Sequence, residues 1–196
     1  MERRTFFKLG LVKISSMVLA DKAWALKYYP NPSDKKWAVL YGTWCGSSRD
    51  AGVWICEGMG GIADIFDVRE NPNLKGFDHI VIGSSIRNYK INPLIEKYIK
   101  ENKGLVRGKI RGLYAICGNL RKPTGPEQKD MYIDKQLGQL CGVGNIPAKV
   151  FNGRVTMGLF DKETFEMMKK FGVQDYDDLK RADCLAFGKE ILASMK

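Results

Sequence analysis

Thr43, Gly46, Ser47 and Ser48 follow directly on the apolar run 37–41 and precede a helical pattern. Small residues let backbone N–H groups turn toward one point, and hydroxyls add donors. The first turn of the following helix supplies unpaired N–H groups and the positive end of its dipole. A strand, loop and helix in this order make a phosphate cradle. The loop has neither the Lys of a Walker A motif nor the spacing of a dinucleotide GxGxxG. A monophosphate therefore suits it better than a pyrophosphate or triphosphate, and Thr43, Trp44, Cys45, Gly46, Ser47 and Ser48 are its candidate ligand residues.

Other chemistries have little material. His79 is the single histidine and stands where a strand begins, which leaves a zinc site or a Ser-His-Asp triad without support. The five cysteines, Cys45, Cys56, Cys117, Cys141 and Cys184, are odd in number and form neither CxxC nor a metal-ligand spacing. Burial as small hydrophobes is the expectation for most of them.

The cradle must be held by the elements around it. Residues 37–41 read as a buried strand, and Ala51, Trp54, Ile55 and Met59 fall at helical spacing after it. Further strands are expected at 62–68, 77–82, 113–117 and 149–157, the last with Asn152-Gly153 as an alternative hairpin turn. Helices are expected after the Asn92-Pro93 cap, with Leu94, Ile95, Tyr98 and Ile99 facing inward, and at 127–141, 161–171 and 177–194. On the last helix, Leu179, Ala182, Ala186, Phe187 and Ile191 share a face. Alternating strands and helices predict a doubly wound, five-stranded parallel sheet with helices on both faces. In such a sheet a ligand sits at the carboxyl ends of the strands, near the switch point. Three loops leave those ends, at 42–48, 83–90 and 117–123.

Residues 1–25 read as an export signal. Arg3-Arg4, Phe6 and Lys8 are close to the twin-arginine motif, with Glu2 and Phe7 departing from its commonest residues. An apolar run interrupted by Lys13 follows, then the A-x-A site Ala23-Trp24-Ala25. The run is short of the roughly 20 apolar residues that cross a bilayer. Residues 26–36 are then a linker and 37–196 one domain. Twin-arginine substrates are usually exported folded, which favours a tightly held phosphorylated cofactor over a diffusible nucleotide, and places the protein in the periplasm. The formal charge of +10 falls to about +7 without residues 1–25. For an exported protein this points away from nucleic acid. Arg87, Lys90, Arg107, Lys109, Arg111, Arg121 and Lys122 lie between expected strands without interleaved aromatics, as a solvated rim or a docking patch does. Membrane contact is peripheral at most.

The chain from about 37 to 194 resembles the flavodoxin family. The segment from Phe77 through His79 and Gly83 to Arg87, followed by Asn119-Leu120 and Lys122-Pro123, is similar to its branch containing the oxygen-independent protoporphyrinogen oxidase. Thr43, Gly46 and Ser48 match the family's phosphate loop. Cys45 and Ser47 depart from its usual residues without removing backbone donors. The resemblance implies FMN as cofactor. It places Ser84, Ser85, Ile86, Arg87, Asn88 and Tyr89 along one side of the flavin ring and Cys117, Gly118, Asn119 and Leu120 along the other. Trp44 or Tyr89 would stack on the ring, and Arg87 would lie near its N1 and carbonyl edge. The implied role is electron transfer to or from a redox partner protein outside the cytoplasm. The alternative is an FMN dehydrogenase that oxidises an organic substrate with a quinone as acceptor. A third reading is a fold that has lost its cofactor and serves as a binding module. The protoporphyrinogen-oxidase branch carries a longer basic and aromatic segment where this chain has only 159–176, and export separates the chain from cytoplasmic haem synthesis. Both favour the electron-transfer role.

Overall fold

The computed structural model describes residues 30–118 and 123–195. The expected leader, 1–25, lies outside the described residues.

The core is a parallel sheet of β1 (Trp37–Gly42), β2 (Ala63–Asp67), β3 (His79–Arg87), β5 (Ile110–Cys117) and β6 (Ala148–Asn152) in the order β2-β1-β3-β5-β6. The two-residue strand β4 (Lys90–Ile91) turns back antiparallel on β3. The α/β sheet with helices on both faces is the arrangement that the alternating pattern predicts. All six residues of β1 are buried, because strands lie on both sides of it and helices cover both faces. The two-residue period divides its side chains. Ala38 and Leu40 join Ile80, Ile82 and Leu113 in one core, whereas Trp37, Val39 and Tyr41 join Val81, Tyr114 and Ile116 in the other.

Helix α1 (Ser47–Gly58) follows the cradle directly. Helix α2 (Pro93–Glu101) starts where Asn92 accepts a hydrogen bond from the Leu94 N–H at 3.0 Å and Pro93 takes the first turn. Its buried residues are Ile95, Tyr98 and Ile99, while Leu94 remains 43% exposed, one step off the inward stripe. A short helix α3 (Lys103–Val106) precedes β5. A continuous helical run, α4, comprises Pro126–Gln128, the wider-wound π segment Lys129–Gly138 and Gln139–Cys141. The extra residue per turn in the π segment explains why a 3.6-residue reading finds only a weak apolar face there.

Three departures from the sequence expectations concern the site. Residues 83–87 are strand rather than loop, because Ile86 and Arg87 pair with Ile91 and Lys90. The last parallel strand stops at Asn152. At Gly153 the chain crosses the end of β5, donating its N–H to the Cys117 carbonyl at 2.9 Å. A Cβ there would stand 2.6 Å from Ile116 Cγ2, so only glycine makes this crossing. The chain then continues as β7 (Arg154–Val155), which pairs antiparallel with β8 (Tyr176–Asp177). Helix α5 (Lys162–Lys170) lies between β7 and β8 and buries none of its residues.

Helix α6 (Arg181–Ala193) closes the described chain, and its buried face runs through Cys184, Phe187, Gly188 and Ile191. Ala182 and Ala186 are exposed, contrary to the sequence reading. The inward face is chosen by close approach to α1. A side chain on Gly188 would overlap the Ile55 carbonyl, and one on Gly58 would overlap the Leu185 carbonyl.

Tyr114 ties the sheet to the cradle. Its ring, wholly buried, lies where a Cβ on Gly83 would stand, and its hydroxyl donates to the Ser48 carbonyl at 2.8 Å. Burial raises its pKa well above the ordinary value, so the donor stays protonated. Replacing Tyr114 by Phe is expected to lower stability by about 1 kcal/mol. Gly83→Val, which drives a branched side chain into the ring, should cost about 3 kcal/mol. Urea unfolding measures both, and equal midpoints for wild type and Gly83→Val would refute this account of the glycine.

Candidate functional site

The carboxyl ends of β1, β3, β5 and β6 meet at a cavity of about 220 Å³. The cradle forms its first wall. Gly46 caps α1 with φ 82°, a left-handed conformation suited to glycine, and Trp44, Cys45 and Ser47 line the cavity behind it. Thr43, Gly46 and Ser48 belong to the same loop without lining the cavity. The hydroxyl oxygens of Thr43 and Ser48 are nevertheless buried and lack a hydrogen-bond partner among the described residues. Ser48 as a whole is 0% exposed. Buried polar atoms are seldom left in this state unless a water or ligand completes them.

The second wall is the end of β3, where Ser85, Ile86, Arg87 and Asn88 line the cavity. Ser84 does not. Its hydroxyl donates to the Ser85 carbonyl at 3.1 Å and accepts from the Asn92 N–H at 2.9 Å, so it secures the start of α2. Tyr89 is also placed elsewhere. With Asn88 it makes the positive-φ turn between β3 and β4, at 51° and 61°, and its ring is 74% exposed. Its carbonyl accepts from Gln136 Nε2 at 2.9 Å, which puts Tyr89 on the α4 side of the hairpin, away from the cavity lining.

The third wall comes from the ends of β5 and β6. Gly118 lines the cavity, as do Ile116 and Gly153, and Cys117 is buried at the end of β5. Asn119 and Leu120 lie outside the described residues. The Asn152 amide oxygen and the Tyr176 hydroxyl are also buried without a partner among the described residues. Burial pushes Tyr176 up to about 12, and it therefore remains a neutral donor at ordinary pH.

The segment between β7 and β8 covers the cavity with Phe160, Thr164, Met167 and Met168. Arg87 holds this cover down. Its Nη2 lies 3.1 Å from Asp161 Oδ2 and donates to Thr164 Oγ1 at 2.8 Å. Its guanidinium carbon stands 5.0 Å from the Trp44 ring centroid and 5.8 Å from that of Phe160. The charge expected at a flavin edge is thus shared with a carboxylate. Asp161 caps α5, and hydrogen bonds from the Thr164 backbone and side chain, with that of Arg87, lower its pKa to about 2. The resulting support is fully present above the ordinary carboxylate range and is lost as pH falls through about 2.

Arg154, Tyr176 and the cover residues were not among the sequence candidates. The rule that ligands gather at the carboxyl ends of strands applies to β6 as it does to β1, β3 and β5, and would have reached Arg154 had the strand been ended at Gly153. Nothing local marks the cover. Its residues read as ordinary connectors, and they reach the cavity only through the pairing of β7 with β8.

Among the described residues no group of His, Cys, Asp and Glu side chains is placed to hold a metal, and no helix is long and apolar enough to cross a membrane. Cys45, Cys56, Cys141 and Cys184 are free thiols.

The chain is similar in fold to several solved structures. An archaeal flavodoxin superposes with a TM-score of 0.52 at 14% identity, over 81% of this chain and 97% of that one. A flavodoxin variant from Fusobacterium nucleatum, bound to flavin mononucleotide, gives 0.51 at 12% identity, over 83% and 98%. Rubredoxin oxygen:oxidoreductase from Desulfovibrio gigas gives 0.50 at 12% identity over 85% of this chain, which spans only 37% of that larger protein. No curated protein sequence matches the chain. The family model described as flavodoxin domain matches residues 38–178. With its sheet order and a cradle at the end of β1, the chain belongs to the flavodoxin-domain family.

Proposed function

We propose that this chain binds FMN and serves as a redox protein. The observation that carries the reading is a set of buried polar atoms without partners among the described residues, at the strand ends that form the cavity: Thr43 Oγ1 and Ser48 Oγ in the cradle, Asn152 Oδ1 at the end of β6, and Tyr176 OH on the cavity wall. A phosphate monoester has acceptors for the hydroxyls and helix N–H groups of the cradle. A flavin ring edge has donors and acceptors for the remainder. The residues present therefore fit the group. Thr43, Gly46, Ser47 and Ser48 would hold the phosphate, and Ser85 to Asn88 together with Gly118 would border the ring. FMN supplies electron transfer in single or paired steps when it is bound.

The protein's own residues do the rest. Tyr114 fixes the Ser48 carbonyl and with it the first turn of α1. The Arg87 guanidinium, set between the Trp44 and Phe160 rings, gives the β3 side of the cavity a defined wall. Tyr176 holds a neutral hydroxyl in the cavity, close to Gly118.

Electron transfer to or from a partner protein is our first reading, with a quinone as another acceptor. Oxidation of a small organic substrate, in the manner of the protoporphyrinogen-oxidase branch, is the second. The apolar cover of Phe160, Met167 and Met168 favours the latter, since a simple carrier works best with an open ring edge. We also propose that residues 1–25 direct export by the twin-arginine route. Arg3-Arg4, Phe6, Lys8 and the site Ala23-Trp24-Ala25 support this.

Purified protein mixed with FMN should quench the flavin's fluorescence and retain its visible absorbance through gel filtration. Gly118→Val should abolish retention without changing the far-ultraviolet dichroism, because a Cβ at Gly118 already stands 2.8 Å from the Tyr176 hydroxyl. Absence of flavin retention by the wild type would remove the reading. Reduction in measured steps, followed by absorbance, separates single-electron from paired-electron uptake. Fractionation of cells carrying Arg3→Lys with Arg4→Lys should find the protein retained in the cytoplasm, and unchanged export would exclude the twin-arginine route.

A further inference from the structure

Arg154 reaches the cradle from β7. Its Nη1 lies 3.0 Å from Asp50 Oδ2, and its Nε and Nη2 lie 2.8 and 2.7 Å from Asp177 Oδ2. Nη1 comes within 3.8 Å of the point where a Cβ on Gly46 would stand, and the Arg154 backbone N–H donates to Ser47 Oγ at 3.4 Å. The guanidinium thus lies beside the first turn of α1, on the cavity wall. A guanidinium has five N–H donors, so the three nitrogen contacts to carboxylates leave donors for another acceptor.

Asp50 is the acidic residue of that first turn. Its carboxylate suits the helix dipole but would repel a phosphate bound at the same turn. Two guanidinium groups offset that repulsion: Arg49 places Nε and Nη2 at 3.1 and 2.9 Å from Asp50 Oδ1, and Arg154 takes Oδ2. Of the two, Arg154 lines the cavity and adds directed donors there. The Ser48 hydroxyl, 0% exposed and without a partner, is an independent sign that this turn is completed by a ligand.

We infer that Arg154 determines the site's preference for the phosphorylated flavin over riboflavin, by donating to the phosphate and, together with Arg49, neutralising Asp50. The inference rests on the FMN reading above. The competing role is purely structural, a clip joining the β7–β8 ribbon to α1. Loss of a clip weakens every flavin alike, whereas loss of a phosphate partner weakens FMN selectively.

The test titrates FMN and riboflavin, by fluorescence quenching, against the full-length wild type and the variants Arg154→Gln and Asp50→Asn. Arg154→Gln should weaken FMN about tenfold and riboflavin less than about threefold. Asp50→Asn frees Arg154 Nη1, while Asp177 keeps the guanidinium in place, and removes the like charge; it should raise the preference for FMN. If Arg154→Gln fails to fold by circular dichroism, Arg154→Lys, which keeps the charge and loses the forked donors, replaces it and should still weaken FMN more than riboflavin. Equal losses of both flavins in Arg154→Gln, or an unchanged preference in Asp50→Asn, overturns the inference and leaves FMN binding intact. So does a wild type that binds riboflavin as tightly as FMN. A wild type that binds neither flavin overturns the FMN reading and this inference with it.

Discussion

The Tyr114 ring, laid across Gly83 with its hydroxyl on the Ser48 carbonyl, connects the buried sheet to the chemistry at its edge. A wholly buried phenol needs a hydrogen-bond partner, and the partner it finds is the backbone of the cradle. The same ring constrains its neighbours. A Cβ on Gly52 would stand 2.9 Å from the hydroxyl, so α1 approaches the sheet closely at this point. The first turn of α1 is consequently held from below by β5 and not by the loop alone. Such support gives a binding loop a defined shape before any ligand arrives.

Above the cradle, two guanidinium groups give the second level of organisation. Arg87 joins β3 to the cover through Asp161 and Thr164. Arg154 joins the β7–β8 ribbon to α1 through Asp50 and Asp177. These pairs are partly exposed, and each contributes modestly to stability. Their importance is in placement. The cover helix α5 buries none of its own residues, so its position depends on its cap, on Arg87 and on the ribbon at its ends. Both guanidinium groups are shared with carboxylates, which tempers the positive field that their number alone suggests.

Much of this architecture could be read along the chain. The run 37–41, the Asn92-Pro93 cap and the helical spacing after Ser48 are local signals, and local hydrogen bonding and two-residue or 3.6-residue periods suffice to produce the elements they mark. Less legible were the places where distant pairing overrules local appearance. Ser84 to Arg87 look like a polar loop, yet the return of Lys90 and Ile91 makes them strand. Ala182 and Ala186 look inward-facing, yet the contact of Gly188 with Ile55 and Gly58 turns α6 onto Cys184 and Phe187.

The alternating elements, the parallel sheet they build and the cradle at the end of β1 are written along the chain. These follow from periodicity, caps and small residues within short stretches of chain. That Tyr89 leaves the cavity wall, that Arg154 and Tyr176 join it, and that Phe160 and Met168 cover it follow from long-range pairing. The physical reason lies in Gly153 and the β7–β8 pairing. A turn tight against Ile116 sends the chain across the sheet's end, and an antiparallel pair then returns it. No local period encodes that path.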